Sequence, residues 1–175
     1  MGVGYGIDGR VVAGPTGCAD ADQYGASGDL MDALCVSGGC YCGNVSLDVT
    51  LSREPATYNP RACDCDFCQK HGASYVSDPL GSLCIRIEDE REVSRYHQGS
   101  GTAELLLCRK CGVMVAAVYR DADEVFGTVN VRALDSRADF GAEVAVSPKA
   151  LSAQEKVTRW RDIWFGNVSV RGKAD

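Results

Sequence analysis

Seven of the ten cysteines fall into three clusters: Cys40-Tyr41-Cys42, Cys63-Asp64-Cys65-Asp66-Phe67-Cys68, and Cys108-Arg109-Lys110-Cys111. Thiolate is a soft ligand suited to Zn²⁺, and ligands two or three residues apart converge on one ion at little loop-closure cost. In extended chain, side chains at i and i+2 point to the same side, so a C-x-C presents two sulfurs to one metal. A C-x-x-C folds into a tight turn instead. Gly43 and Gly112, each just after the second cysteine of a pair, allow the positive φ such turns use.

Seven ligands also divide informatively. Cys40 and Cys42 with Cys108 and Cys111 close a four-thiolate structural site. Cys63, Cys65 and Cys68 then remain as a three-thiolate site with its fourth position open, which is how catalytic zinc centres are built. Two zinc ions per chain are expected. Alternatives stay open at this level: Cys35 or Cys84 completes the second site, or the clusters carry iron–sulfur, which uses the same residues. Cys84, in an apolar run, is expected to be a small core residue, and Cys18 has no cysteine near it.

These residues sit in a chain of 175 residues, 45% hydrophobic, with a formal net charge of -6. That is enough for one ordinary core. Thiolate ligation makes the charge more negative still. With no run of Lys or Arg to offset it, nucleic acid is not an expected partner. No segment approaches the ~18 apolar residues of a membrane span, so no membrane partner is expected either. The N-terminal sequence lacks the basic and apolar regions of a secretory signal. A cytoplasmic location follows as the expectation. There disulfides rarely persist, so a disulfide framework is the weaker reading of ten cysteines.

The elements that must position the clusters are short strands. Eight of the 20 glycines lie in the first 28 positions, and residues 1–36 read as a flexible Gly-rich extension. Residues 37–140 read as the metal-binding domain and 141–175 as a tail with one helix. In Asn44 to Leu51, alternate residues Val45, Leu47, Val49 and Leu51 share a face. Leu83 to Ile87 alternates less cleanly. Glu92 to His97 and Ala103 to Leu107 flank a Gly99-Ser100-Gly101 turn, and Val113 to Tyr119 and Val125 to Val131 complete the set. The fold class is therefore mainly β. Ser152-x-x-Glu155 predicts a helix start, after which Val157, Trp160, Ile163 and Trp164 recur at helical spacing. A stripe of this kind docks on a core more often than it stacks on a ligand.

The stretches Gly38 to Val45, Cys63 to Ala73, Cys108 to Gly112 and Val129 to Leu134 resemble the glutathione-dependent formaldehyde-activating enzymes and their centromere-protein-V-like relatives. The resemblance covers about residues 37 to 136. It implies an Mss4-like, mostly antiparallel β fold. It implies structural zinc on Cys40, Cys42, Cys108 and Cys111, and a second zinc, where the chemistry is proposed, on Cys63, Cys65 and Cys68. The activity it implies is reversible addition of glutathione to formaldehyde, giving S-hydroxymethylglutathione, a carbon–sulfur lyase reaction. The partners would be a small thiol and an aldehyde. The other reading is a non-enzymatic zinc-stabilised binding module of the same fold. Among nearby residues, His71 is a candidate proton shuttle or a plain loop residue. Arg61, Lys70 and Arg109 are candidates for attracting carboxylates or for mere solvation. Tyr41 and Phe67 are expected to shield the metals.

Overall fold

The computed structural model describes residues 34–136 and 139–172. Most of the Gly-rich extension, with Cys18, lies outside the described residues. β2 (Val45–Leu51) shows its alternation at full strength, with Val45, Leu47, Val49 and Leu51 all buried. It pairs antiparallel with β1 (Leu34–Gly39) on one side and β5 (Ser82–Ile87) on the other. β5 alternates as cleanly as β2, burying Leu83, Ile85 and Ile87. The period of two therefore turns Cys84 to the opposite face. It is half-buried there, 3.8 Å from Arg86 Nη1 and in register with Asp48, and not in the core as its apolar neighbours suggested. β11 (Asn167–Gly172) adds to this sheet parallel to β5.

The second sheet has seven strands in the order β10-β3-β4-β9-β8-β7-β6. β6 (Val93–His97), β7 (Glu104–Cys108), β8 (Met114–Asp121) and β9 (Glu124–Asn130) form a meander joined by short turns. β8 buries five consecutive residues, Met114 to Val118, so both its faces are covered. β4 (Ser74–Val76) and β3 (Arg61–Cys63) extend the sheet beyond β9. β10 (Val144–Val146) closes it, parallel to β3. The fold is mainly β, and both sheets are mixed. The two parallel pairings were not visible as alternation. They join segments far apart in sequence, and β10 has only three residues.

One face of each sheet contributes to the main core. Leu47, Val49, Leu83 and Ile85 meet Leu106, Val115, Val118 and Val129 there. A smaller apolar cluster forms elsewhere on the large sheet, from Cys68, Tyr75, Leu105, Ala117, Phe126 and Trp164. Two helices accompany the sheets. α1 (Asp66–Lys70) is a short turn inside the central cysteine cluster, and α2 (Ala153–Ile163) is the expected C-terminal helix. The capping box at its start is complete. The Ser152 hydroxyl accepts from Glu155 N–H, and Ser152 N–H donates to the Glu155 carboxylate at 2.8 Å. Its far end is fastened by the Ser77 hydroxyl, which donates to the Ile163 carbonyl at 2.6 Å. Phe165 follows directly, fully buried and bridged to Gly127. No helix among the described residues is long and apolar enough to cross a membrane.

Candidate functional site

The turn after β1 carries Cys40 and Cys42, and the turn after β7 carries Cys108 and Cys111. Their four Sγ atoms lie within 4.8 Å of one another. Cys42 is 3.4 Å from Cys108 and 3.7 Å from Cys40. A tetrahedral zinc with Zn–S near 2.3 Å has S···S edges of about 3.8 Å, so this donor set fits a closed metal site. Gly43 and Gly112 adopt φ of 79° and 77°, and Gly112 N–H closes the Cys108 turn at 2.8 Å. Burial resists ionisation at all three of the covered thiols. It pushes Cys108 up to about 12 and raises Cys40. At Cys111 it is overcome by N–H groups of Val113 and Cys42, which bring that thiol down to about 6.

The central cluster is built differently. Cys63 ends β3, Cys65 caps α1, and Cys68 lies one turn further along the helix. Cys65 Sγ accepts from Cys68 N–H at 3.5 Å, a sulfur doing the work of an N-cap oxygen. The three Sγ atoms lie within 4.8 Å of one another and could hold one metal ion. Donation from the Cys68 thiol, helped by the Cys65 backbone, brings Cys63 down to about 6 against the cost of its burial. Cys68 is pushed well up by the same contact and by burial. Tyr75, on β4, places its Oη 3.2 Å from Cys68 Sγ. Burial and the neighbouring thiols hold that phenol protonated. Gln98 Nε2 approaches Cys65 Sγ at 3.8 Å. Cys35 and Cys84 belong to neither group.

The three-cysteine group opens on a cavity of about 220 Å³. Arg61 borders it from β3, two residues before Cys63 and hence on the same face of the strand. The Gln98–Ser100 turn borders it from the β6–β7 hairpin, and Lys149 from the segment after β10. α2 supplies Lys156, Arg159, Trp160, Ile163 and, just past its end, Trp164. That spacing of 3, 4, 7 and 8 residues from Lys156 is one helix face. The indoles stack on each other with centroids 4.8 Å apart, and Trp160 leans on Tyr119 at 5.5 Å. The stripe thus docks α2 and also walls the site. Four cations border the cavity, and no Asp or Glu does among the described residues. Burial, with Arg159 nearby, pulls the Arg61 guanidinium down to about 10.

The remaining candidates fall elsewhere. His71 is the exposed C-cap of α1 with its ring on Phe67, and it does not border the cavity. Lys70 and Arg109 are exposed away from it. Tyr41, in the β1–β2 turn, is 91% exposed and shields nothing. Phe67 does cover the central cluster in part, stacking on Tyr96 at 4.8 Å. Tyr75, Lys149, Lys156 and Arg159 were not anticipated. For Lys156 and Arg159 the helical register with Trp160 was the available signal. Tyr75 reaches the site only through the β3–β4 pairing, which no local pattern announces.

The chain belongs to the family of glutathione-dependent formaldehyde-activating enzymes, whose family model matches residues 35–150. Both cysteine groups lie within that match, and α2 lies beyond it. No curated protein matches the sequence. A Rhodobacter sphaeroides protein of solved crystal structure is 24% identical over 77% of this chain and 99% of its own, with a TM-score of 0.44.

Proposed function

We propose that the protein is a zinc-dependent carbon–sulfur lyase-type enzyme acting on thiol–aldehyde adducts, with glutathione and formaldehyde giving S-hydroxymethylglutathione. One observation carries this reading. Three convergent cysteines, where a closed structural site needs four, face a cavity large enough for a small ligand. A zinc ion held by Cys63, Cys65 and Cys68 would supply an open coordination position that favours deprotonation of an incoming thiol. The chain's own residues prepare that position. Cys63 has its ionisation favoured by the Cys68 thiol, while Tyr75 and Gln98 hold Cys68 and Cys65 in place with hydrogen bonds to sulfur. The stacked indoles exclude water from one side. In the reaction the sulfur–carbon bond forms, the carbonyl π pair moves to oxygen, and the thiol proton ends on that oxygen. Thiol capture is favoured over carbonyl activation, because three thiolates already donate charge to the metal and weaken it as a Lewis acid. A non-enzymatic module of this fold would need only the four-cysteine group.

The test is two-dimensional exchange NMR on glutathione, formaldehyde and their adduct, with zinc-loaded protein and a Cys65→Ser control. Serine keeps the α1 cap while removing a thiolate. The expected result is exchange above the uncatalysed rate, abolished in the control. Background exchange in both samples overturns the proposal.

A further inference from the structure

The cations bordering the cavity are not equivalent. Lys149 is paired with Asp64 at 3.0 Å. Arg61 has no carboxylate partner among the described residues; its polar contacts are hydroxyls, Ser77 Oγ at 2.5 Å and Thr128 Oγ1 at 3.5 Å. Arg159, half-buried on α2, likewise has no acid partner among the described residues, and it borders the same cavity as Arg61. Two like charges beside one apolar cavity destabilise each other, and both lose hydration there. Elsewhere the same chain pairs its arginines readily. Arg95 bridges Glu90 and Glu104, and Arg161 bridges Asp121 and Glu124. In a chain of net charge -6, this wall carries two guanidiniums without a carboxylate partner and no Asp or Glu among the described residues.

We propose that Arg61 and Arg159 form a carboxylate-binding subsite beside the central cysteines, which selects thiols that carry a carboxylate. The ligand's carbon chain then lies against Trp160 and Trp164. A carboxylate set between two guanidiniums relieves their repulsion and takes the planar, charge-assisted hydrogen bonds that the guanidinium fork supplies. Ser77 orients this arrangement, since it accepts from Arg61 and donates to the Ile163 carbonyl, tying the β-strand arginine to the end of α2. Half of the subsite comes from α2, beyond the residues the family model matches. The inference rests on the thiol-binding reading above, but it is tested without turnover.

Both tryptophans of the chain border this cavity, so tryptophan fluorescence, excited selectively over tyrosine, reports on it. Zinc-loaded protein is titrated with S-methylglutathione, which lacks a free thiol, and with its dimethyl ester. The acid is expected to bind about tenfold or more tighter than the ester, the size of a charge-assisted hydrogen bond. Arg61→Gln should abolish that preference while leaving the ester unchanged. Arg159→Gln, on the helix surface and without an acid partner, guards against a folding defect and should cut the preference several-fold. Equal binding of acid and ester in the wild type overturns the subsite. So does an equal loss of both in Arg61→Gln, which would make Arg61 a mere counter-charge to the thiolates. Exchange NMR is read separately: catalysed exchange with no carboxylate preference refutes the subsite alone, and a carboxylate preference with only background exchange refutes the lyase reading alone.

Discussion

Replacing Cys42 by serine isolates what the four-cysteine group contributes to folding. Cys42 is exposed, so the substitution opens no cavity and strains no packing. Its loss acts through the metal link between the β1–β2 turn and the β7–β8 turn. Cys42 and Cys108 are 66 residues apart, and the chain-entropy relation for a cross-link over such a loop gives about 4 kcal/mol. For a chain of this size, about 3 °C of melting temperature accompanies each kcal/mol, so Cys42→Ser should melt about 12 °C below the zinc-loaded wild type. Chelation of the wild type empties both cysteine groups and should produce at least that drop, about 18 °C at most, whereas it should move the variant, which keeps only the three-cysteine group, by no more than about 6 °C. The comparison is Cys65→Ser, whose cluster closes only a short turn and by the same relation costs about 2 kcal/mol at most. The assay is differential scanning calorimetry at matched protein concentration, with and without a zinc chelator. A variant that melts with the wild type in zinc would refute the argument. So would a wild type indifferent to chelation.

Tyr75→Phe removes a hydroxyl 3.2 Å from Cys68 Sγ and should weaken metal binding at the three-cysteine group by about tenfold to a hundredfold. Competition with a chromophoric chelator should show one of two sites weakened, and two unaltered sites would refute the role. With cobalt in the three-cysteine group, glutathione is expected to change the thiolate-to-metal absorption; an unaltered spectrum excludes direct thiol capture. Ser152→Ala deletes the capping box of α2 and should cost about 1 kcal/mol in urea unfolding. Because α2 carries the cavity wall, the same variant should also bind S-methylglutathione more weakly, and unchanged affinity would separate the wall from the helix.

What the sequence made legible was whatever a short window contains. The alternation of Val45, Leu47, Val49 and Leu51 specified a half-buried strand, and Ser152 with Glu155 marked a helix start to the residue. Cysteine spacing implied two ligand groups because neighbouring ligands must share an ion. The cavity was illegible for the opposite reason. Arg61, Lys149 and Arg159 lie on segments separated by 88 and 10 residues; Arg61 could be named as a candidate from its place beside the cluster, but nothing local links it to the other two. Only the β10–β3 pairing and the docking of α2 bring them to one wall. Cys84 misled because an apolar neighbourhood says nothing about which face of a strand a residue takes. Tyr41 misled because a turn at a metal site faces solvent as readily as it covers the ion.

The fastening of α2 bears on how such proteins diversify. The clustered cysteines are spent by position 111, whereas the helix that borders the cavity begins at Ala153. A recombination event after β10 could therefore exchange much of the cavity's lining and leave every clustered cysteine in place. The exchange is constrained at one seam. Phe165 is fully enclosed, and a side chain at Gly127 would meet Leu83 and Val168 within 3.3 Å. An incoming segment must bring an aromatic plug of the same size, or the packing between the two sheets is left with a gap. Simple truncation before α2 would remove Phe165 and leave the core unsealed, not merely widen the cavity. A graft ending in a matched plug and strand is the viable route to a new ligand preference.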